Sequence, residues 1–128
     1  MAVYCGTDIV SVERIKNSIE ELGDTFIKRI YTDEEIEYCE SRRMCKYQSY
    51  AARFAAKEAA YKAISPETMD EITWHDAEII KKPNGKPVMK LNGKLARLAD
   101  ERGLITENID VSLSHDDVYA TATVVINK

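Results

Sequence analysis

The chain has 128 residues, 45% hydrophobic and 31% charged, with 18 Lys plus Arg against 22 Asp plus Glu for a net charge of −4. That balance predicts one soluble domain over residues 1–128 and excludes a disordered chain. It argues against general nucleic-acid binding, and no apolar run approaches the roughly 18 residues of a membrane span.

In chain order, "AVYCG" predicts a short strand, and Asp8 follows it in "GTDIVSV". Ser11 is placed to cap a helix through "VERIKNSIEEL", with Gly23 just past its end. Thr32 and Glu35 have capping-box spacing and open a helix to about Arg43. A third helix runs from about Lys46 to Ile64 and stops at Ser65–Pro66. "TWHDAEIIKK" reads as a strand, and Asn84-Gly85 in "KKPNGKPVMKL" predicts a type I′ hairpin turn. Asn92 then caps a helix with Leu95, Leu98 and Ala99 inward and Gly103 after it. Two alternating strands, "NIDVSLSH" and "VYATATVVI", close the chain around a tight turn at Asp116-Asp117. This order predicts an α+β fold, a largely antiparallel sheet packed with helices.

Several chemistries are missing from the sequence. There is no GxxxxGK[ST] or GxGxxG loop, and with only His75 and His115 no histidine-rich metal cage. Ser114, His115 and Asp116 are strand neighbours that alternate in direction, so they make a poor triad. Cys5, Cys39 and Cys45 are odd in number and lack CxxC spacing, which predicts reduced thiols in a cytoplasmic protein rather than a zinc site. The opening "MAVYCGTDIV" lacks the basic region and cleavage site of a signal peptide. Basic islands at Lys28–Arg29, Arg42–Arg43–Lys46 and Lys81–Lys82 read either as solvated faces or as a patch for an acidic partner.

Two carboxylates stand in apolar company. Asp8 lies between "AVYC" and "IVSV", and Glu58 interrupts the helical stripe of Tyr50, Ala51, Phe54 and Tyr61. A buried carboxylate is costly unless it is paired or binds a metal. One reading pairs Glu58 with Lys62, four residues on. The other brings Asp8 and Glu58 together on a Mg²⁺, with Arg53, Lys57 and Lys62 supplying charge for a phosphate-bearing substrate.

Three motifs give the chain a relative. "GTDIVSVERI", "RFAAKEAAYKAI" and "VSLSHDDVYATATVVI" resemble, in order, the N-terminal G-x-D, the F-x-x-K-E-A-x-x-K-A and the C-terminal S-x-S-H-x-x-x-Y-A segments of the holo-acyl-carrier-protein synthases. These are short bacterial 4′-phosphopantetheinyl transferases, and "PNGKP" fits their short loop. The resemblance covers essentially the whole chain.

The resemblance implies transfer of the 4′-phosphopantetheine arm of coenzyme A to a serine of apo-acyl carrier protein, in support of fatty acid biosynthesis, with adenosine 3′,5′-bisphosphate released. It implies Asp8 and Glu58 as Mg²⁺ ligands and Lys62 at the pyrophosphate. Glu58, directly or through a metal-bound water, is expected to accept the serine proton. Arg53 and Lys57 are expected to contact phosphate, Ser114 and His115 the nucleotide end of coenzyme A, and Gly85 the adenine side. Arg14 is expected at the carrier-protein surface, and the assembly is a homotrimer with sites near subunit interfaces. Trp74, Tyr50, Tyr61 and Tyr119 are read as packing residues. Outside this family, a non-catalytic coenzyme A or carrier-protein binding module and another Mg²⁺-dependent phosphate-ester enzyme are the alternatives.

Overall fold

The computed structural model describes residues 2–128. Strand β1 (Val3–Ser11) leads into α1 (Val12–Leu22), α2 (Asp24–Ile30), α3 (Asp33–Ser41) and, after a single 3₁₀ turn at Arg43–Cys45, α4 (Lys46–Ile64). A second 3₁₀ turn (Trp74–Asp76) introduces β2 (Ala77–Lys81) and β3 (Pro87–Leu91). Helix α5 (Gly93–Glu101) and strands β4 (Ile105–His115) and β5 (Tyr119–Asn127) complete the chain. The strands form an antiparallel three-stranded sheet in the order β1-β5-β4 and a two-stranded antiparallel sheet β2-β3. The expected α+β architecture is borne out.

Helix α4 is the axis of the molecule. Seven of its residues are alanines, Ala51, Ala52, Ala55, Ala56, Ala59, Ala60 and Ala63, and all are buried. Alanine is the strongest helix former and the smallest with a Cβ, so the helix is both stable and thin. Against it lie Val10 of β1, Val111 of β4, and Ala120, Ala122, Val124 and Ile126 of β5. The amphipathic stripe expected from sequence is not what the helix presents. It is buried nearly all round, and Phe54, Glu58 and Lys62 form its least buried line. At the far end Arg102 donates to the carbonyl of Ile64, closing the helix where Ser65 takes a left-handed φ of 51°.

The local signals held in most places. Ser11 caps α1 and Gly23 follows it, and Thr32 with Glu35 forms the capping box of α3. Two turns differ. The β2–β3 connection spans the five residues Lys82–Lys86, Gly85 N donates to Lys82 O at 2.8 Å, and only Gly85 has positive φ (90°). Pro83 fixes the first corner at negative φ, so Asn84 does not enter the left-handed region that a type I′ turn requires. At α5, Asn92 makes no side-chain cap. Its amide donates to His75 O, and the Asp76 carboxylate instead accepts from Leu95 N at 3.3 Å. Asp116 closes the last hairpin by accepting from Val118 N and Tyr119 N.

Cys39 is wholly buried, and desolvation is the main cause pushing its thiol up to about 12. Cys5 is exposed. Only a thiolate attacks a disulfide reagent. Titration of the folded protein near pH 8 with a chromogenic disulfide is therefore expected to leave Cys39 unmodified while Cys5 reacts. Cys39 should appear only when denaturant is added, and peptide mapping reads which thiol has reacted.

Candidate functional site

Gly6, Asp8 and Val10 lie on the face of β1 turned to α4, while Val3, Cys5, Thr7 and Ile9 are exposed on the other. A Cβ on Gly6 would stand 1.9 Å from Ala59 O. Strand and helix backbones are thus in direct contact, which brings Asp8, two residues on, against the last turns of α4. Lys62 Nζ donates to Asp8 Oδ1 and to Thr7 O, each at 3.0 Å. Lys62 is therefore paired with Asp8 and not with Glu58 one turn back, because β1 offers a carboxylate and a carbonyl together. Lys62 is 55% exposed, so the pair contributes about 1 kcal/mol or less.

Glu58 completes the cluster. Its carboxyl is half-buried, and its pKa is raised from 4.5, first by burial and then by the charge of Asp8; Lys62 and Arg14 oppose the shift. Arg14 stands exposed in the first turn of α1. Two mutually repelling carboxylates on adjacent elements are a donor set suited to a hard divalent cation that keeps water or substrate oxygens in its other positions. Among the described residues no group of three or more His, Cys, Asp and Glu assembles, here or elsewhere, so the site offers two carboxylates and no thiolate or imidazole. The residues present therefore fit Mg²⁺ better than zinc.

A second cluster lies around Tyr38. The Arg53 guanidinium sits 4.1 Å from the Tyr38 ring centroid, Lys81 Nζ 4.9 Å and the Arg42 guanidinium 5.9 Å. Arg53 is only 4% exposed, its Nε is buried without a hydrogen-bond partner, and among the described residues none of the three cations is within ion-pair distance of a carboxylate. With Gly85 and His115 they line a cavity of about 180 Å³. Three cations gathered on one ring, none of them in an ion pair, suit an anion, although Glu34 and Glu37 lie near Arg53 and Lys81 in the adjoining pocket.

Two of the coenzyme contacts expected from sequence do not join these clusters within the chain. Lys57 is fully buried, and its ammonium donates to Glu35 Oε1 (2.8 Å), Trp74 O (3.0 Å) and Ala77 O (2.8 Å), leaving no proton for a phosphate. Burial lowers its pKa, with the Glu35 charge opposing. Ser114 alternates away from His115 on β4 and is exposed with Ser112 on the outer face. Tyr119 is exposed rather than packed, whereas Tyr50 and Tyr61 are buried as expected. Sequence reading missed the cations Lys81 and Arg42 as neighbours of Arg53. It also missed a cavity of about 410 Å³ beside Glu58, lined by Tyr61, Met69, Ile72, Thr73 and Trp74. Only the tertiary fold joins those segments.

Comparison with known proteins bears directly on this geometry. The family model described as the 4′-phosphopantetheinyl transferase superfamily matches residues 4–123. The chain belongs to this superfamily. A holo-[acyl-carrier-protein] synthase of Ruminiclostridium cellulolyticum is 48% identical over 127 residues, covering 99% of this chain and 93% of the relative. That of Koribacter versatilis is 45% identical over 126 residues, covering 98% of each chain. Among solved structures, Helicobacter pylori holo-[acyl-carrier-protein] synthase in complex with coenzyme A superposes with a TM-score of 0.82 at 31% identity, over 96% of this chain and 99% of that one. The resemblance read from the three motifs is thereby borne out. The transferase's Asp8, Glu58 and Lys62 all fall within the matched segment.

Gly6→Ala is expected to destabilise the transferase by about 3 kcal/mol or more, since the clash is with backbone and cannot be relieved by a rotamer change. Where the variant still folds, strand and helix must part. Mg²⁺ binding followed by calorimetry is then expected to weaken although neither carboxylate has been altered.

Proposed function

We propose that the enzyme, acting as one domain over residues 1–128, transfers the 4′-phosphopantetheine arm of coenzyme A to a serine of apo-acyl carrier protein. The serine oxygen bonds to the phosphorus that carries pantetheine, and the phosphoanhydride bond to adenosine 3′,5′-bisphosphate breaks. The observation that carries this reading is the Asp8–Glu58–Lys62 cluster, built across β1 and α4 in a chain 48% identical to a holo-[acyl-carrier-protein] synthase.

Each residue has a task set by its environment. Asp8 and Glu58 would hold Mg²⁺, which when bound supplies charge neutralisation at the pyrophosphate and polarises the phosphorus. Lys62, half-exposed and weakly held, moves its ammonium from Asp8 to the pyrophosphate and stabilises the charge of the departing bisphosphate. Glu58 accepts the serine proton when ionised. Burial and the charge of Asp8 raise its pKa, Lys62 and Arg14 oppose that shift, and a cation held beside it would favour the ionised form that can take the proton. On the other cluster, Arg53, with Lys81 and His115, neutralises a phosphate at the nucleotide end, and Gly85 lets the chain approach the adenine closely.

Arg53 and Glu58 are five residues apart, roughly 140° around the helix. They open on different sides of α4. An extended coenzyme is then met by the acidic cluster of one copy and the cationic pocket of the next. This accords with a homotrimer whose sites lie at subunit interfaces. The outer sheet face supports it, for Val3 and Ile9 are each 61% exposed and offer apolar surface for a second copy. Arg14, beside the Glu58 cluster, meets an acidic carrier protein, and Lys16, Lys28 and Arg29 are further exposed basic groups that can take part. A cytoplasmic enzyme supplying fatty acid biosynthesis accords with these substrates.

Incubation with apo-acyl carrier protein, coenzyme A and Mg²⁺, read by intact-mass spectrometry, is expected to show a phosphopantetheine adduct on the carrier protein. Its absence with several carrier proteins and with both Mg²⁺ and Mn²⁺ would sink the proposal. Asp8→Ala and Glu58→Ala are each expected to cut transfer on the order of 100-fold or more while circular dichroism stays native. Unfolding of Glu58→Ala would instead mark the carboxylate as structural.

Arg14→Glu is expected to raise the KM for the carrier protein, leave that for coenzyme A unchanged, and flatten the dependence on salt. Initial rates over a salt series test this. An unchanged salt slope removes Arg14 from the docking face.

A further inference from the structure

The buried ion pair of Lys57 and Glu35 is used by neither cluster, yet it sits one residue from Glu58. Glu35 is itself wholly buried. Its Oε1 accepts from Lys57 Nζ and, as part of the capping box, from Thr32 N; its Oε2 accepts from Ile79 N at 2.9 Å. Lys57 in turn grips both ends of the 3₁₀ turn at Trp74–Asp76 through Trp74 O and Ala77 O. The same turn is held from α4 at two further places. Tyr61 OH donates to Thr73 O at 2.7 Å, and the Trp74 ring stacks on Phe54 with centroids 5.0 Å apart.

Positions 54, 57 and 61 of α4 are one turn apart, and Glu58 lies among them. All three therefore fix one object, the segment that carries Thr73 and Trp74. Those two residues, with Tyr61, wall the cavity into which Glu58 opens. An ammonium with one carboxylate and two carbonyls has fixed directions for all its protons, which makes it a rigid clamp. Apolar residues of similar volume would serve stability as well. What the polar pair adds is a defined position for the carbonyls of Trp74 and Ala77.

We propose that the Lys57–Glu35 pair is a positioning device that sets the Thr73–Trp74 wall against Glu58, and that this wall forms part of the coenzyme A site. Lys57 and Glu35 act through the wall and touch no substrate. The inference rests on reading Glu58 as part of the reaction centre.

Trp74 is the single tryptophan of the chain, so its emission reports the wall directly. The test compares the full-length enzyme with the double variant Lys57→Met/Glu35→Gln, which removes both charges together and leaves no unpaired ion, where Lys57→Met alone would strand the Glu35 carboxylate. Native circular dichroism with a red-shifted Trp74 emission and greater acrylamide quenching is the expected result. The KM for coenzyme A is expected to rise on the order of 10-fold, with kcat less affected and the KM for the carrier protein unchanged. A folded double variant with native emission and native KM overturns the proposal, and so does shifted emission with an unchanged KM. A double variant that fails to fold also overturns it, by assigning the pair to the fold as a whole. Glu58→Gln is run alongside. Full transfer by that variant would refute Glu58 as part of the reaction centre, an outcome separate from the behaviour of the pair.

Discussion

Direct contact between the backbone of β1 at Gly6 and that of α4 at Ala59 is the constraint on which the rest of the structure depends. Helices ordinarily keep a side chain's width from a sheet. Here a glycine on the strand and a run of alanines on the helix remove that width. Closer packing brings more atoms into dispersion contact and excludes water from the joint. It also sets the distance between functional groups that the sequence places 50 residues apart, Asp8 and Glu58. A larger residue at Gly6 would separate the carboxylates before it altered any chemistry.

That contact gathers like charges, and the structure handles the cost in three ways. Lys62 lies on Asp8 as a weakly held cation. Glu58 is left half-buried with a raised pKa, so part of the repulsion is met by a greater readiness to hold a proton. Arg14 adds positive field from α1. On the Tyr38 side the imbalance has the opposite sign, with Arg42, Arg53 and Lys81 sharing one aromatic ring. A protein of net charge −4 thus holds a compact cationic pocket and an acidic one on the same helix.

Much of this was legible in the sequence wherever the determinant is local. Caps at Ser11 and Thr32, the bounds of α4 and the final hairpin follow from side chains acting on backbone a few residues away. Asp8 and Glu58 were legible as anomalies, carboxylates in apolar settings. Where a local signal failed, a distant group had taken over its task. Asp76, not Asn92, caps α5, and Pro83 overrides Asn84-Gly85 in the hairpin. Lys57 illustrates the limit for the site. Its helical position beside Arg53 and Glu58 suggests phosphate contact, but a carboxylate 22 residues upstream and two carbonyls 17 and 20 residues downstream enclose it.

The sequence by itself determined most of the helices and strands, α2 and the Trp74–Asp76 turn excepted, which residues carry charge into apolar surroundings, and which family the chain joins, because periodicity, caps and motif spacing are properties of neighbouring residues. Tertiary structure alone decided the partners of those charges. Lys62 pairs with Asp8 instead of Glu58, Lys57 is enclosed while Arg53 makes no ion pair, and Trp74 becomes a cavity wall. The reason is physical. A charge's partner is set by distance and desolvation in three dimensions, and both change by many ångströms when strand, helix and turn come together.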